Sequence, residues 1–222
     1  MNGSAVTRPR IVEVRERVLK QNDLLARELR QRFQEAGVRV VSMVSSPGAG
    51  KTTLLEKTLT ILNRECRVAA LVGDLATEND ALRLQRSGAP VKQITTGTTC
   101  HLDASMISTA LTDWDLKGFD ILFIENVGNL VCPSSYDLGE NLRAVLISTT
   151  EGEDKPLKYP TIFNTADIAV ITKIDLAAAV EFDLKAVHRN IQTVRPGMRV
   201  VEVSAKTGTG IDAWLEAISF RK

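Results

Sequence analysis

Residues 45–53 read Ser-Ser-Pro-Gly-Ala-Gly-Lys-Thr-Thr and fit the G-x-x-x-x-G-K-[ST] phosphate-loop template at every position except the first, where Ser45 stands for glycine. Gly48 and Gly50 leave the backbone free to curl its N–H groups toward a chain of phosphates. The candidate cradle is therefore Ser46, Gly48, Ala49, Gly50, Lys51, Thr52 and Thr53. Lys51 has the length and charge to reach the β and γ phosphates, and Thr52 offers a hydroxyl to Mg²⁺ while opening a helix to about Arg64, whose positive end faces the same phosphates. A plain glycine turn between two elements would have no need of Gly-Lys-Thr at that point.

Two acids follow apolar runs. Asp74 lies after 67–72 and Glu125 after 119–124. An acid at a strand end in a parallel sheet faces the ligand crevice, so both are Mg²⁺ candidates and, with Lys51, catalytic candidates. Asp74 could instead orient the attacking water, or be a turn residue ahead of a helix capped by Thr77 or Asp80. Gly128, three residues beyond Glu125, is placed to sense a γ-phosphate through its N–H. No arginine can be assigned to the developing γ-phosphate charge, so slow turnover without a partner is expected.

The base is read elsewhere. Thr172-Lys173-Ile174-Asp175 and Ser204-Ala205-Lys206 resemble the [NT]-K-x-D and S-A-K motifs of GTP-binding proteins. Asp175 can accept from guanine N1–H and N2–H₂, a pattern adenine does not offer, and Ala205 can present its N–H to guanine O6. GTP and GDP are thus expected rather than ATP, with Lys173, Asp175, Ser204, Ala205 and Lys206 around the base. Thr172 where asparagine is usual loses the amide that braces the base and the phosphate loop, so guanine selectivity with weakened affinity is expected.

Cys100, His101 and Cys132 supply soft and borderline donors that suit Zn²⁺ or Ni²⁺, and three donors leave a coordination position for solvent, a client or another subunit. Cys132 lies just past Gly128 and would move with whatever that glycine senses. Cys66, with no partner nearby in sequence, reads as structural, and His188 as a surface residue.

These residues need a scaffold that the rest of the chain supplies. Val14, Val18, Leu25 and Leu29 recur at helical spacing between Ile11 and Glu35, so residues 1–37 read as a short polar end followed by an amphipathic helix packed on the domain. Residues 38–222 alternate apolar runs (38–44, 67–72, 91–96, 119–124, 143–148, 166–171, 199–203) with helical stretches, among them 180–194 and 211–220, and a polar, mobile loop is expected at 150–160, where Lys155 and Lys158 could touch nucleotide or a partner but are expected to be solvated. The fold class is α/β: a three-layer P-loop NTPase with a mainly parallel sheet and helices on both faces. Lys and Arg total 28 against 27 Asp and Glu, so no net field favours nucleic acid. The apolar runs are too short for a membrane span and no signal segment is apparent, which points to the cytoplasm. Three cysteines suit thiols or metal ligands better than a disulfide framework.

Taken together, the segments 46–52, 73–74, 98–104, 125–133 and 155–160 resemble the hydrogenase nickel-incorporation GTPases, the HypB family of the SIMIBI class of P-loop proteins. The resemblance implies a metallochaperone that hydrolyses GTP to deliver nickel for [NiFe]-hydrogenase maturation. It also implies metal binding coupled to nucleotide state, a GTP-promoted homodimer lined by the Cys100, His101 and Cys132 set, a small zinc-containing nickel-binding accessory protein, and the hydrogenase large-subunit precursor as client. The chain shows no Cys-x-x-Cys nickel motif near its start and no His-rich tract, His101 and His188 being its only histidines, so storage of many nickel ions is not expected. A cobalamin-mutase chaperone would have no use for the Cys-His-Cys set, and urease accessory GTPases carry Cys-Pro-His where Cys and His are contiguous here. A metal-buffering protein with a vestigial nucleotide site would tolerate loss of Lys51.

Overall fold

The computed structural model describes residues 10–75 and 79–219; the expected polar end before residue 10 and the Thr77 cap lie outside them. Seven strands form one sheet: β1 (Arg39–Ser45), β2 (Val68–Asp74), β3 (Val91–Thr95), β4 (Ile121–Glu125), β5 (Leu142–Ser148), β6 (Ile168–Thr172) and β7 (Arg199–Glu202). Their order is β3-β2-β4-β1-β5-β6-β7, and every pairing is parallel. The helices are α1 (Arg10–Ala36), α2 (Lys51–Leu62), α3 (Asn79–Gln85), α4 (Ala104–Ala110), α5 (Lys155–Lys158), α6 (Pro160–Thr165), α7 (Leu184–Val194) and α8 (Ile211–Ile218). No helix among the described residues is long and apolar enough to cross a membrane.

A parallel sheet buried on both faces needs apolar residues at consecutive positions, because neighbours along a strand point to opposite sides. In β1, Val41 and Met43 pack with Leu54, Leu55 and Leu59 of α2 and Trp214 of α8, while Val40 joins Leu29 and Phe33 of α1 and Ile107 of α4 on the other face. Farther along that second face, Val145, Ile147, Ala169 and Ile171 meet Phe163 of α6 and Val187 and Ile191 of α7. Each fully buried Leu or Phe contributes roughly 1.5–3 kcal/mol. Since all strands run the same way, Ser45, Asp74, Glu125 and Thr172 come to one edge of the sheet, where β1 lies between β4 and β5 and the chain leaves in opposite directions.

Local signals moved some boundaries. The helix expected from residue 180 begins at Leu184, where the Asp183 carboxylate accepts from the Ala186 N–H at 3.0 Å. Within the polar stretch 150–160, Lys155–Lys158 form helix α5 with Pro in its first turn, and α6 begins at Pro160. The buried stripe of α1 is Asn22, Ala26, Leu29 and Phe33, whereas Val18, counted in the expected stripe, is 47% exposed. Cys66 packs at the edge of the core, and His188 is half-exposed with Nε2 2.7 Å from Glu202 Oε1.

Helix α1 lies against Gly139, which holds φ +79° and whose added Cβ would stand 2.8 Å from the Ala26 carbonyl oxygen and 3.0 Å from the Arg30 nitrogen. Both the left-handed backbone and the close approach exclude a side chain. Gly139→Ala should therefore lower stability by about 1–3 kcal/mol, read as a lower urea midpoint.

Candidate nucleotide and metal site

The phosphate loop joins β1 to α2 and opens on a cavity of about 480 Å³ lined by Pro47, Gly48, Lys51, Thr52, Asp74, Asp80, Arg83, Glu125 and Gly128. Lys51 is buried and donates to Ser45 Oγ at 2.9 Å, so the serine in place of the first template glycine holds the lysine. Burial lowers the Lys51 pKa, while Glu125, Asp80 and Glu151 push back. Thr52 Oγ1 donates to Glu125 Oε1 at 2.6 Å. Glu125 is only 3% exposed, and that burial lifts its pKa to about 7 against the opposing effects of Lys51 and the Thr52 hydroxyl. Its second oxygen is buried and has no hydrogen-bond partner among the described residues. An orphaned carboxylate oxygen beside a threonine hydroxyl is a donor set that fits a hard divalent cation. Asp74, at the end of β2, accepts from the Leu75 N–H at 2.6 Å and lines the same cavity, so its turn and crevice readings coexist.

A second cavity of about 220 Å³ adjoins the first through Gly50, Thr53 and Lys173 and is lined by Thr172, Asp175, Ser204, Ala205 and Lys206. The expected loss of bracing at Thr172 is corrected here. Its hydroxyl donates to the Ala49 carbonyl at 2.6 Å, and Lys173 Nζ to the Gly48 carbonyl at 2.7 Å, so the base site still grips the phosphate loop. The Ser-Ala-Lys turn is closed by the Thr207 N–H donating to Ser204 Oγ at 3.1 Å.

Cys100 and His101, between β3 and α4, meet Cys132, which opens a 3-10 turn after β4. One donor atom from each lies within 4.8 Å of the others, and the two sulfurs are 2.9 Å apart. All three side chains are partly exposed. The Cys132 thiol, with some desolvation, holds Cys100 above its ordinary pKa, and burial holds His101 below its own. A neutral imidazole is the form that ligates, and thiol protons must leave on metal capture. The His101 ring rests on Tyr136, centroids 3.9 Å apart, and its Nδ1 is buried with no hydrogen-bond partner among the described residues.

The loop leaving β4 joins the two halves. Gly128 packs on Pro47 of the phosphate loop so closely that an added Cβ would stand 2.9 Å from the Pro47 Cα. The Asn126 side-chain Oδ1 accepts from the Leu102 N–H at 3.0 Å, and Asn129 Nδ2 donates to the Cys100 backbone carbonyl at 3.3 Å. Residues 126–129 thus touch the phosphate loop on one side and the Cys100–Leu102 backbone on the other.

Several of these residues escaped the motif reading. Asp80 and Arg83 line the phosphate cavity, with Arg83 Nε also bonded to Glu56 Oε2 at 2.6 Å; a charged pair on the first helix after a strand-end acid was the available signal. Lys155, expected in a solvated loop, donates to Ser46 Oγ at 3.1 Å and pairs with Glu151 at 3.3 Å; the proline beside it marked a helix start. Lys158 stays at the surface, paired with Asp154. Asn22 and Tyr136 carried no motif at all, and Asn126, inside the 125–133 segment, was given no role of its own.

The raised Glu125 pKa fixes a sign. The folded state binds the proton more tightly than the unfolded chain between pH 4.5 and about 7, so stability falls as pH rises through that window and the deficit is complete above it. Without nucleotide and Mg²⁺, Glu125→Gln should gain on the parent chain across the window by on the order of 3 kcal/mol, measured by urea denaturation at several pH values.

Residues 39–202 match the family model described as CobW/HypB/UreG, nucleotide-binding domain. The hydrogenase maturation factor HypB of Azotobacter chroococcum mcd 1 is 45% identical over 212 residues, covering 95% of this chain and 69% of that protein. The structure of HypB from Helicobacter pylori in complex with nickel superposes with a TM-score of 0.83 at 40% identity, covering 91% of this chain and 99% of that one. The hydrogenase maturation factor HypB from Archaeoglobus fulgidus gives 0.84 at 39% identity, covering 90% and 97%. With its fold, its phosphate loop and most of its length matched in this way, the chain belongs to the CobW/HypB/UreG nucleotide-binding family and, within it, to the HypB proteins.

Proposed function

We propose that this protein is a GTP-hydrolysing metallochaperone that delivers nickel for [NiFe]-hydrogenase maturation, with residues 38–222 as the GTPase domain and helix α1 docked on it. One observation carries the reading: the loop that leaves the phosphate cavity at Glu125 brings Cys132 to Cys100 and His101. A metal buffer would have no reason to hang its ligands on a nucleotide loop.

In this reading Gly48, Ala49 and Gly50 direct N–H groups at the phosphates and Lys51 offsets charge between the β and γ groups. Thr52 and Glu125 would hold Mg²⁺, with Asp74 through water; bound Mg²⁺ neutralises charge on the β and γ oxygens. Asp74 is also the candidate for orienting the attacking water. Asp175 and the Ala205 N–H select guanine, Lys173, Ser204 and Lys206 frame the base, and Ser46 and Thr53 complete the cradle.

Gly128 senses the γ-phosphate, and its contact with Pro47, together with the Asn126 and Asn129 bonds, ties that event to the position of Cys132 against Cys100 and His101. Nickel, or zinc in its place, is bound as cargo and handed on after hydrolysis. The surface position of the three donors fits a GTP-promoted homodimer, in which a twofold axis would bring two sets together. A small zinc-containing nickel-binding protein as donor and the hydrogenase large-subunit precursor as client rest on the family resemblance.

Coupling of this kind requires that the metal bind the two nucleotide states differently. Ni²⁺ and Zn²⁺ per protomer, with sedimentation, should show dimerisation and a changed metal affinity in a non-hydrolysable GTP analogue relative to GDP, and Cys132→Ala should abolish the metal response. Equal affinity in both nucleotides, or metal binding indifferent to Cys132, would remove the metallochaperone reading and leave the GTPase. Base selection has its own test: Asp175→Ala should weaken GTP binding by about 10²- to 10⁴-fold, the loss of two charge-assisted hydrogen bonds worth about 1.5–3 kcal/mol each, without a matching loss for ATP.

A further inference from the structure

We propose that Asn22 of helix α1 is a positioning residue for the metal site, a single amide that clasps both loops carrying its donors. The inference rests on reading Cys100, His101 and Cys132 as ligands and adds to it the element that holds them. Asn22 is 5% exposed and belongs to a stripe that is otherwise Ala26, Leu29 and Phe33, all in the core. Its Oδ1 accepts from the Ala104 N–H at 2.9 Å, just beyond Cys100 and His101. Its Nδ2 donates to the Asp137 carbonyl at 2.9 Å, just beyond Cys132 and next to the Tyr136 ring on which His101 rests.

Among side chains of this size, the amide both donates and accepts through separate atoms. An apolar residue in the same stripe would dock the helix equally well and leave both loop groups without these bonds. The helix that carries Asn22 is itself locked to the second loop, since Arg30 Nη2 contacts both Asp137 carboxylate oxygens at 2.7 and 2.9 Å. Arg143 Nη2 donates to the Tyr136 backbone carbonyl at 2.7 Å, holding that stretch of backbone from another element. A thiol–thiol contact is too weak to hold two loops 2.9 Å apart at their sulfurs by itself, so the approach must be imposed by groups behind the donors. Asn126 and Asn129 tie the loops from within the second of them; Asn22 reaches both from helix α1, outside either loop.

The test uses the full chain with four sequences: parent, Asn22→Ala, Asn22→Asp and Leu29→Ala, the last loosening α1 without touching the clasp. Zn²⁺ affinity is read by competition with a chromophoric chelator, the Ni²⁺ complex by its thiolate charge-transfer band, and the metal-free site by capture of a trivalent phenylarsenical, which needs both thiols together. Asn22→Ala should weaken Zn²⁺ and Ni²⁺ by about 10- to 100-fold, alter the nickel band and slow arsenical capture. Asn22→Asp, which keeps an acceptor for Ala104 but sets a carboxylate against the Asp137 carbonyl, should fall between it and the parent, and covers the case in which the alanine variant does not fold. Leu29→Ala should keep the parent spectrum even where its melting temperature is as low.

Unchanged metal binding and arsenical capture in Asn22→Ala would overturn the proposal, as would an equal loss in Leu29→Ala at matched melting temperature. Should the parent chain capture the arsenical yet bind no metal, the nickel reading fails, while the arsenical rates still decide whether Asn22 holds the thiols together.

Discussion

The last residues of β4 set the geometry on which both halves of the molecule depend. Glu125 ends the strand and points into the phosphate cavity, where Thr52 donates to it. Asn126, the next residue, points the other way and accepts from Leu102 in the metal half. The alternation of side chains along an extended chain makes this division possible at a single peptide bond. Burying a carboxylate costs free energy unless it is paired or protonated, and Glu125 carries that cost next to Lys51. The strained electrostatics lie where a magnesium nucleotide would relieve them.

The sheet makes the arrangement rigid. Parallel pairing of β1 with both β4 and β5 places the phosphate loop between the strand that carries Glu125 and the strand that leads toward the base site. Thr172 and Lys173 then hold the phosphate loop through its own carbonyls at Ala49 and Gly48. The nucleotide site is therefore braced from β6 on one side and from the Gly128–Pro47 approach on the other.

How far the sequence could be read follows from what kind of signal each feature has. Strands buried on both faces show as apolar runs, and the phosphate loop, the Thr172–Asp175 stretch and the Ser204–Lys206 turn are contiguous motifs, so fold and nucleotide site were legible. The triple of Cys100, His101 and Cys132 was legible because cysteine and histidine are scarce in this chain. Asn22, Asn126 and Tyr136 were not, since an asparagine that bonds backbone groups far along the chain looks like any polar residue until the fold brings them together. The Thr172 brace was misjudged for a related reason: loss of the asparagine amide was read as loss of the grip on the phosphate loop, yet a shorter hydroxyl reaches the Ala49 carbonyl when the backbone lies close. Within the 150–160 loop, the short helix at Lys155–Lys158 was missed because charge density outweighed the proline that starts it.

The two sulfurs belong to residues 32 apart in the chain, in separate connections that leave neighbouring regions of the same sheet edge. An ion held between them would be more than cargo: it would fasten one surface loop to another and subtract the freedom of the segment enclosed. Loading and rigidity are then the same event, and handing the ion on unlocks the surface that delivered it. An empty carrier and a full one would differ in stiffness as well as in content, which gives any partner a mechanical means of telling them apart.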